Sequence, residues 1–346
     1  MQNKIRWTSP SNIAIIKYWG KHGMQIPMNP SLSFTLSDCK TDTSIEWNEN
    51  NYAGHCTFEF NYDGKPKPDF EDKLKKHILN LESILPSIKE LHLKIDSINT
   101  FPHSAGIASS ASAMSALALC LVSIENEIGN QNLSEQTFLR SASYISRLGS
   151  GSAARSIYPV ASLWGEFGEV KGSSNEFAIP FKEEIHSTFK SLQDCIFLVN
   201  KNEKYISSRA GHQLMENHPY RHARIEQANR NLSLLIQVLK EGHWKLFASI
   251  CEEEALSLHG LMMSSNPGYV LLEPDSLHVL SEIRQFRNES KLPIAFTIDA
   301  GPNIHLLYPE EIKNDVNNWI QKKLPSYWIE KKLIFDKLGM GPQKIN

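Results

Sequence analysis

Short apolar runs and strict alternation dominate the first sixty residues of the chain. The segment 13–16 is apolar throughout, whereas 44–47 and 58–62 alternate polar with apolar side chains, and the latter runs into the turn dipeptide Asp63-Gly64. A period of two is the pattern of a strand with one buried face. The sequence therefore predicts strands and turns over residues 5–62.

Apolar residues recur at helical spacing further along the chain. Leu74, Ile78, Leu81 and Leu85 share one helical face, and similar spacing predicts helices over 108–128, 135–147, 220–240, 243–263 and 276–289. Alternating or continuous apolar runs predict strands over 91–95, 157–164, 195–199, 294–298 and 304–308. Helices and strands are thus mixed, as in an α/β or α+β protein.

A chain of 346 residues that is 41% hydrophobic can form one large domain or two lobes. The stretch 170–184 contains Gly172, two serines and Pro180, and it interrupts the apolar patterns. We expect the lobe boundary here, with an N-terminal lobe over 1–184 and a C-terminal lobe over 185–346.

The charges are nearly balanced, with 36 Lys and Arg against 38 Asp and Glu and a formal net charge of −2. No overall field favours nucleic acid or an acidic membrane, so neither is an expected partner, and any anion site must be built locally. Five scattered cysteines and an N-terminus without an apolar core indicate a reducing cytoplasm. Residues 105–124 are uncharged, but their five serines predict a buried helix rather than a membrane span.

Small and hydroxyl-bearing residues crowd the segment Phe101-Pro-His-Ser-Ala-Gly-Ile-Ala-Ser-Ser-Ala111. If a helix begins near residue 108, its first amides and its positive end face an anion, and a serine hydroxyl could bind magnesium. The segment lacks the Gly-Lys-Ser/Thr of a Walker loop and the glycine spacing of dinucleotide sites. A serine-rich helix cap or a packing face explains it equally well by itself.

Two further segments carry groups that handle anions or protons. Gly149-Ser-Gly-Ser-Ala-Ala-Arg155 joins a small-residue loop to a guanidinium that can hold a carboxylate or phosphate bidentately. Asp299 follows an apolar strand and precedes Ala-Gly-Pro-Asn, where a carboxylate can orient a hydroxyl or accept its proton. A plain glycine–serine turn and an Asx turn are the commoner uses of such segments, so both interpretations stay open.

Lys17 and Lys21 flank Tyr-Trp-Gly at a spacing that, on one strand, would place both on one face. Two ammonium groups there could hold a polyanion, although a solvated pair of lysines is commoner. The segment 204–209 could supply another anion clamp or a polar loop, and the acidic run 252–254 is typical of a solvated helix face.

Three histidines, His212, His218 and His222, invite a metal interpretation, since the last two would lie one helical turn apart. Pro219 follows directly, and no cysteine or acidic residue has ligand spacing. A helix start explains the segment adequately.

Five segments, taken in order, resemble the diphosphomevalonate decarboxylase family of the GHMP kinase superfamily. They are Asn12-Ile-Ala-Ile-Ile-Lys-Tyr-Trp-Gly-Lys21, Asn29-Pro-Ser-Leu-Ser33, 101–111, 149–155 and Asp299-Ala-Gly-Pro-Asn303. The resemblance spans about residues 8–310, and its Lys-Tyr-Trp-Gly-Lys and Asp-Ala-Gly-Pro-Asn motifs are specific to the decarboxylase branch.

The resemblance implies a two-lobed α/β GHMP-kinase-like fold. Its N-terminal lobe would resemble the second domain of a small-subunit ribosomal protein, and its C-terminal lobe would be ferredoxin-like. It also implies an ATP- and Mg²⁺-dependent conversion of mevalonate 5-diphosphate to isopentenyl diphosphate, CO₂, ADP and phosphate in the cleft between the lobes. Homodimers are common in this family, so a homodimer is expected.

By position, the resemblance assigns Asp299 to the substrate hydroxyl with Lys17 beside it, and Arg155 to the substrate carboxylate. The other implied substrate-binding residues are Asn12, Tyr18, Lys21, Ser150, Ser152 and Ser208. The implied nucleotide-binding residues are Ser104, Gly106, Ser109, Ser110 and Ser112, with Ser109 as a magnesium ligand.

The chain departs from the family pattern where Gly211 is followed by His212-Gln-Leu-Met-Glu-Asn-His218, since many members have Gly-Met and a threonine-rich stretch there. This departure leaves open whether the 5-substituent is a diphosphate or a monophosphate. Phosphorylation of the 3-hydroxyl without decarboxylation and a non-catalytic ligand sensor are further alternatives. The presence of Lys17, Arg155 and Asp299 together favours the decarboxylase.

Overall fold

A computed structural model describes residues 3–50, 54–102, 107–200 and 208–345, with the backbone alone at 208 and 209. The strands of the N-terminal lobe are β1 (Lys4–Ile16), β2 (Lys21–His22), β3 (Ile26–Pro27), β4 (Ser31–Glu49), β5 (Thr57–Tyr62), β6 (Lys65–Pro66), β7 (Leu91–Asn99), β8 (Ala161–Trp164) and β9 (Ile179–Pro180). Its helices are α1 (Pro68–Leu81), α2 (Ser109–Ile128) and α3 (Glu135–Gly149).

The N-terminal sheet is built around the long antiparallel pair β1 and β4, with neighbours in the order β1–β4–β7–β5–β6. β5 runs parallel to β7, and β8 pairs with the first part of β4. The second half of β1 is buried on both faces, which explains its continuous apolar run, whereas the second half of β4 alternates because one face is less covered.

Helix α2 is a core helix of this lobe. Its serines satisfy their hydroxyls within the helix, since Ser115 donates to the carbonyl of Ala111 and Ser123 to that of Leu119. In the described ranges α2 alone has the length and apolar composition of a membrane span, and 72% of its most apolar window is buried inside the protein. The predicted buried helix is confirmed.

The C-terminal lobe begins with a short helix before its first strand. Its elements are α4 (Ser187–Lys190), β10 (Leu192–Phe197), α5 (Ser208–Leu214), α6 (Arg221–Glu241), α7 (Trp244–Met263), α8 (Pro274–Ser290), β11 (Ala295–Ile298), β12 (Ile304–Pro309), α9 (Lys313–Lys323), α10 (Pro325–Ile329), β13 (Leu333–Lys337) and β14 (Gln343–Ile345). The sheet order is β11–β12–β10–β13, with every neighbouring pair antiparallel. Helices join β10 to β11 and β12 to β13, which is the ferredoxin-like arrangement, and β14 returns to pair with β1.

One apolar cluster joins the two lobes. It contains Ile13 of β1 and Phe34 of β4 together with Ile196 of β10, Leu232 of α6 and Phe247 of α7. A continuous hydrophobic core, rather than a flexible linker, therefore connects the two lobes beneath the cleft.

Most predicted elements are confirmed to within a few residues, with two exceptions. The predicted strand over 157–164 begins only at Ala161, because the segment Gly151–Ile157 forms a buried 3₁₀ helix. The strand that would place Lys17 and Lys21 on one face does not form, since β1 ends at Ile16 and β2 begins at Lys21.

A bulge in β4 meets the C-terminal sheet at Asp336. The pairing of β1 with β4 passes from Pro10–Lys40 to Asn12–Thr35, so residues 36–39 have no regular ladder partner. The Asp336 carboxylate accepts hydrogen bonds from the amides of Ser37 and Asp38 at 2.9 Å and of Cys39 at 2.7 Å. Asp336 is buried, so those amides depend on it.

We expect Asp336→Ala to lower the free energy of unfolding by about 3 kcal/mol or more, because it leaves buried amides without an acceptor. Urea unfolding of the purified protein measures the change. The exposed neighbour Asp38 is the control, and Asp38→Ala should change stability by less than about 0.5 kcal/mol. Equal unfolding midpoints for the two variants would contradict the assignment.

Candidate active site

A cavity of about 880 Å³ lies where the end of β1, the start of α2, the 3₁₀ helix Gly151–Ile157 and the end of β11 meet. The residues singled out from distant parts of the sequence line it together. They are Asn12, Lys17, Tyr18, Lys21, Ser109, Ser110, Ser150, Ser152, Arg155 and Asp299.

Lys17 and Asp299 form an ion pair across the cleft. Lys17 Nζ lies 2.7 Å from Asp299 Oδ1, and the side chains are 2% and 24% exposed, respectively. Asp299 directly follows β11, and its carbonyl oxygen accepts hydrogen bonds from the His259 ring at 3.1 Å and the Gly301 amide at 2.7 Å. The carboxylate is thus held at a strand end and directed into the cavity.

The main chain of Lys17 is fixed by a buried network from α6 and α7. Glu254 Oε2 accepts from the Lys17 amide at 2.8 Å, while Arg224 Nη2 donates to the Lys17 carbonyl at 2.9 Å. Arg224 also holds Glu254 through two hydrogen bonds of 2.8 and 2.6 Å, and Asn231 donates to Glu254 at 2.9 Å. Every polar atom of the Glu254 carboxylate therefore has a partner, as a buried charge requires.

The prediction that residues 252–254 form a solvated helix face is wrong for two of the three. Glu254 is fully buried and Glu252 is 7% exposed, and Glu252 pairs with Arg287. Only Glu253 has the expected exposure, with 42% of its side chain accessible in a pair with Arg230.

Arg155 reaches the cavity from the 3₁₀ helix and is almost completely buried. Its Nε donates to Ser33 at 2.5 Å and its Nη1 to Ser31 at 2.6 Å, and its Nη2 makes no hydrogen bond within the described ranges. Burial lowers the pKa of Arg155 to about 10, although the nearby Asp299 opposes this shift. The guanidinium therefore stays charged at neutral pH, with one edge held by Ser31 and Ser33 at the wall of the cavity.

A chain of hydroxyls joins the start of α2 to the 3₁₀ helix. Ser110 Oγ lies 3.2 Å from Ser150 Oγ, which lies 3.3 Å from Ser152 Oγ. Gly151 between them has no room for a side chain, because a Cβ would lie 2.7 Å from the Trp164 ring and 2.9 Å from the Tyr18 hydroxyl. The segment 149–155 is thus a tightly packed turn and not a flexible glycine–serine turn.

Helix α2 begins where predicted, and its first residues Ser109 and Ser110 line the cavity. Ala108 precedes them with a left-handed backbone, φ 45°, which turns the chain into the helix. Ser112 is a correction, because it is fully buried away from the cavity, accepts from Thr41 at 2.7 Å and donates to the Ser109 carbonyl. Its hydroxyl takes part in the packing of α2 on β4.

Beyond Ser109 the cavity continues as a groove between β5 and α1. Tyr62 and Phe70 lie nearly parallel there, with ring centroids 6.3 Å apart. His77 is buried at its end, and burial lowers the pKa of His77 to about 4, so the ring is neutral. The aromatic and basic side chains of this groove are Phe60, Tyr62, Phe70, Lys73 and Lys76.

Some sequence predictions fall outside the described residues. These are Ser104, Gly106, the segment 204–207 and the side chains of Ser208 and Arg209. His218, in contrast, lies within the described residues, and its Nε2 lies 3.0 Å from the Leu261 carbonyl oxygen. In the ranges that the structure describes, no group of three or more His, Cys, Asp or Glu could hold a metal.

Sequence reasoning missed His212, which lines the cavity, and the residues that support the site from behind, namely Arg224, Glu254 and His259. One signal was available for α6, where Arg224, Gln227 and Asn231 recur at helical spacing beside the buried Ala228 and Leu232. A polar stripe on a buried helix face indicates a partner of opposite charge on the neighbouring helix.

Breaking the hydrogen-bond network around Glu254 should lower both the stability of the protein and its catalytic turnover. We expect Glu254→Ala to lower the free energy of unfolding by about 3–5 kcal/mol, because it strands a buried guanidinium. Glu253→Ala, one residue away on the same helix, should cost less than about 1 kcal/mol. Urea unfolding compares the two, and similar losses would contradict the burial-based ranking.

Family models and curated relatives that resemble this chain all point to the same protein family. The diphosphomevalonate decarboxylase-like N-terminal domain matches residues 9–176, and the mevalonate 5-diphosphate decarboxylase C-terminal domain matches residues 195–343. The diphosphomevalonate decarboxylase of Saccharomyces cerevisiae is 29% identical over 337 residues, which cover 91% of this chain and 80% of that protein. The enzyme of Ganoderma lucidum is 27% identical over 337 residues, covering 92% and 81%.

Solved structures agree with these matches. The mevalonate diphosphate decarboxylase from Staphylococcus aureus is 28% identical with a TM-score of 0.84, covering 100% of this chain and 99% of that one. The enzyme from Enterococcus faecalis is 27% identical with a TM-score of 0.82 over 100% of both chains. Two domain models of one enzyme thus match the chain almost from end to end, on a fold and cavity of the expected kind, and the protein belongs to the diphosphomevalonate decarboxylase family.

Proposed function

We propose that the protein catalyses the ATP-dependent decarboxylation of mevalonate 5-diphosphate (MVAPP) to isopentenyl diphosphate, CO₂, ADP and phosphate, a step of isoprenoid biosynthesis. The Lys17–Asp299 ion pair, in a cavity that also contains Arg155, is the observation that carries the proposal. A relative 27% identical to this chain, MDDEF, has been solved in complex with MVAPP, AMPPCP and magnesium, with a TM-score of 0.84.

Asp299 has the position for orienting the tertiary 3-hydroxyl and accepting its proton as the oxygen attacks the γ-phosphorus of ATP. Lys17, with Nζ 2.7 Å from Asp299, balances the carboxylate and the charge on the transferring phosphoryl group. Phosphorylation matters because a hydroxide leaves poorly from a tertiary carbon, whereas a phosphate ester leaves with the C–O bonding pair.

Arg155 is suited to hold the substrate carboxylate while the second step proceeds. As phosphate departs, the bond to the carboxylate breaks, its electron pair forms the new double bond, and CO₂ leaves. A guanidinium that bound the carboxylate more strongly than the transition state for CO₂ loss would stabilise the ground state and slow the step. Because Ser31 and Ser33 anchor Arg155 on one edge, it orients the breaking bond from a fixed position.

The groove and the start of α2 fit a magnesium nucleotide better than a metal held by the protein alone. The hydroxyls of Ser109 and Ser110 and the first amides of α2 lie where phosphates would bind, and Tyr62 and Phe70 offer apolar faces for a base. Mg²⁺ would be held mainly by phosphate oxygens, with Ser109 as protein ligand, and it would neutralise their charge.

Two buried polar atoms support a polar ligand in the other half of the cavity. Asn12 Oδ1 and the Tyr18 hydroxyl have no hydrogen-bond partner within the described ranges, and both residues line the cavity. Unpaired buried polar groups are costly, and a substrate that pairs with them recovers that cost.

We also propose a cytoplasmic homodimer. Cyclic pairing of two copies is the commonest assembly of homo-oligomers, and five buried, unpaired cysteines fit a reducing compartment. Light scattering should then give twice 39.2 kDa, and a monomer mass would refute the dimer.

The reaction is tested by incubating the pure protein and Mg·ATP with MVAPP or with mevalonate 5-phosphate and following ADP and CO₂ together. Equal release of both products from MVAPP is the expected result. ADP without CO₂ would indicate a 3-kinase, preference for the monophosphate would indicate a phosphomevalonate decarboxylase, and neither product would indicate a ligand sensor.

Asp299→Asn should lower kcat by about 10²-fold or more, because the amide cannot accept the hydroxyl proton. Nucleotide affinity should change little, since Asp299 does not line the groove between β5 and α1. Single-turnover assays and a nucleotide titration measure the two effects, with the exposed Asp275→Asn as control. A near-normal kcat would remove Asp299 from the chemistry.

A further inference from the structure

His212 lines the same cavity but has no part in the steps above. The residue belongs to α5 and is 7% exposed. Its ring packs against those of Tyr18 and Trp19, with centroid distances of 4.3 and 4.5 Å. These ring contacts hold the imidazole in place at the cavity wall.

One ring nitrogen is already engaged. The backbone amide of Gly20 donates to His212 Nδ1 at 2.9 Å. A backbone amide can only donate, so Nδ1 carries the lone pair and the proton of the neutral ring lies on Nε2. Gly20 has φ +92°, and a Cβ there would lie 2.7 Å from Met28 Sδ. Only glycine therefore fits this position without strain, and its amide is held toward the His212 ring.

The ring remains neutral although it is beside cations. Burial lowers the pKa of His212 to about 3, and Lys21 and Arg155 shift it in the same direction. Its Nε2–H therefore acts as a donor without adding a third positive charge. No residue in the described ranges accepts a hydrogen bond from Nε2.

We propose that His212 is a substrate-binding residue that donates its Nε2–H to the diphosphate end of the substrate, beside Lys21 and Tyr18. This inference rests on the proposed function and assigns a further contact to its substrate site. A hydrogen bond from a neutral donor to a charged phosphate oxygen is stronger than one between neutral groups. The contact holds a group that takes no part in bond making, so its loss should weaken binding more than it slows chemistry.

Two amide substitutions separate the roles of the ring nitrogens. The amide of asparagine reaches the position of Nδ1, whereas that of glutamine reaches the position of Nε2. We expect His212→Asn to raise the KM for MVAPP about tenfold and His212→Gln to raise it less than about threefold. The kcat and the KM for ATP should stay within about twofold in both.

Further measurements keep the test independent of folding defects. His212→Phe preserves the stacking on Tyr18 and Trp19 but has no donor, and it should also weaken MVAPP binding in a calorimetric titration without ATP. Melting temperatures report on the fold of each variant, and the exposed His222→Asn is the matched control.

Wild-type KM for MVAPP in the Asn and Phe variants would overturn the inference, and so would equal losses in the Asn and Gln variants. These results presuppose that the wild type turns over MVAPP. A wild type that releases no CO₂ from MVAPP instead refutes the proposed function, so the two failures are distinguishable.

Discussion

A buried charge network around the main chain of Lys17 constrains the whole cleft. Glu254 and Arg224 are both removed from water, and the Lys17 backbone, Asn231 and Gln227 add to their mutual hydrogen bonds. An unpaired charge at such depth costs several kcal/mol. The two helices of the C-terminal lobe and the end of β1 are therefore held in an arrangement that pairs both oxygens of Glu254 and both terminal nitrogens of Arg224, and it places the Lys17 ammonium against Asp299.

The same principle applies at Arg155 on the opposite wall. Two serines of β4 take one edge of its guanidinium, and the rings of Tyr18 and Trp164 lie 6.0 and 5.7 Å from its centre. A side chain held this way loses little further freedom when a ligand binds, so its charge acts on the reaction without reorganisation. The carboxylate of Asp299 and the guanidinium of Arg155 line the same cavity, as the proposed binding of a tertiary alcohol with an adjacent carboxylate requires.

Packing at the interface between the lobes helps to hold Arg155 and Asp299 in position. Asp336 saturates the amides of the β4 bulge, and the apolar cluster of β1, β4, α6 and α7 continues from one lobe into the other. Ser31 and Ser33, which hold Arg155, stand on the same strand as that bulge. Stability of the junction and geometry of the cleft consequently depend on one strand.

The sequence by itself determined the helices and strands, because the spacing of apolar residues reflects which face each element buries, and it determined the family through short motifs around Lys17, Arg155 and Asp299. Only the tertiary structure decided which polar residues of similar local context are accessible and which are buried. Glu253 and Glu254 are neighbours in one acidic run, and Ser110 and Ser112 lie in one serine-rich turn, yet one member of each pair is accessible and the other is buried. Burial and pairing arise from the packing of one element on another, such as α6 on α7 and β4 on α2, and the residues on either side of a given position do not determine that contact.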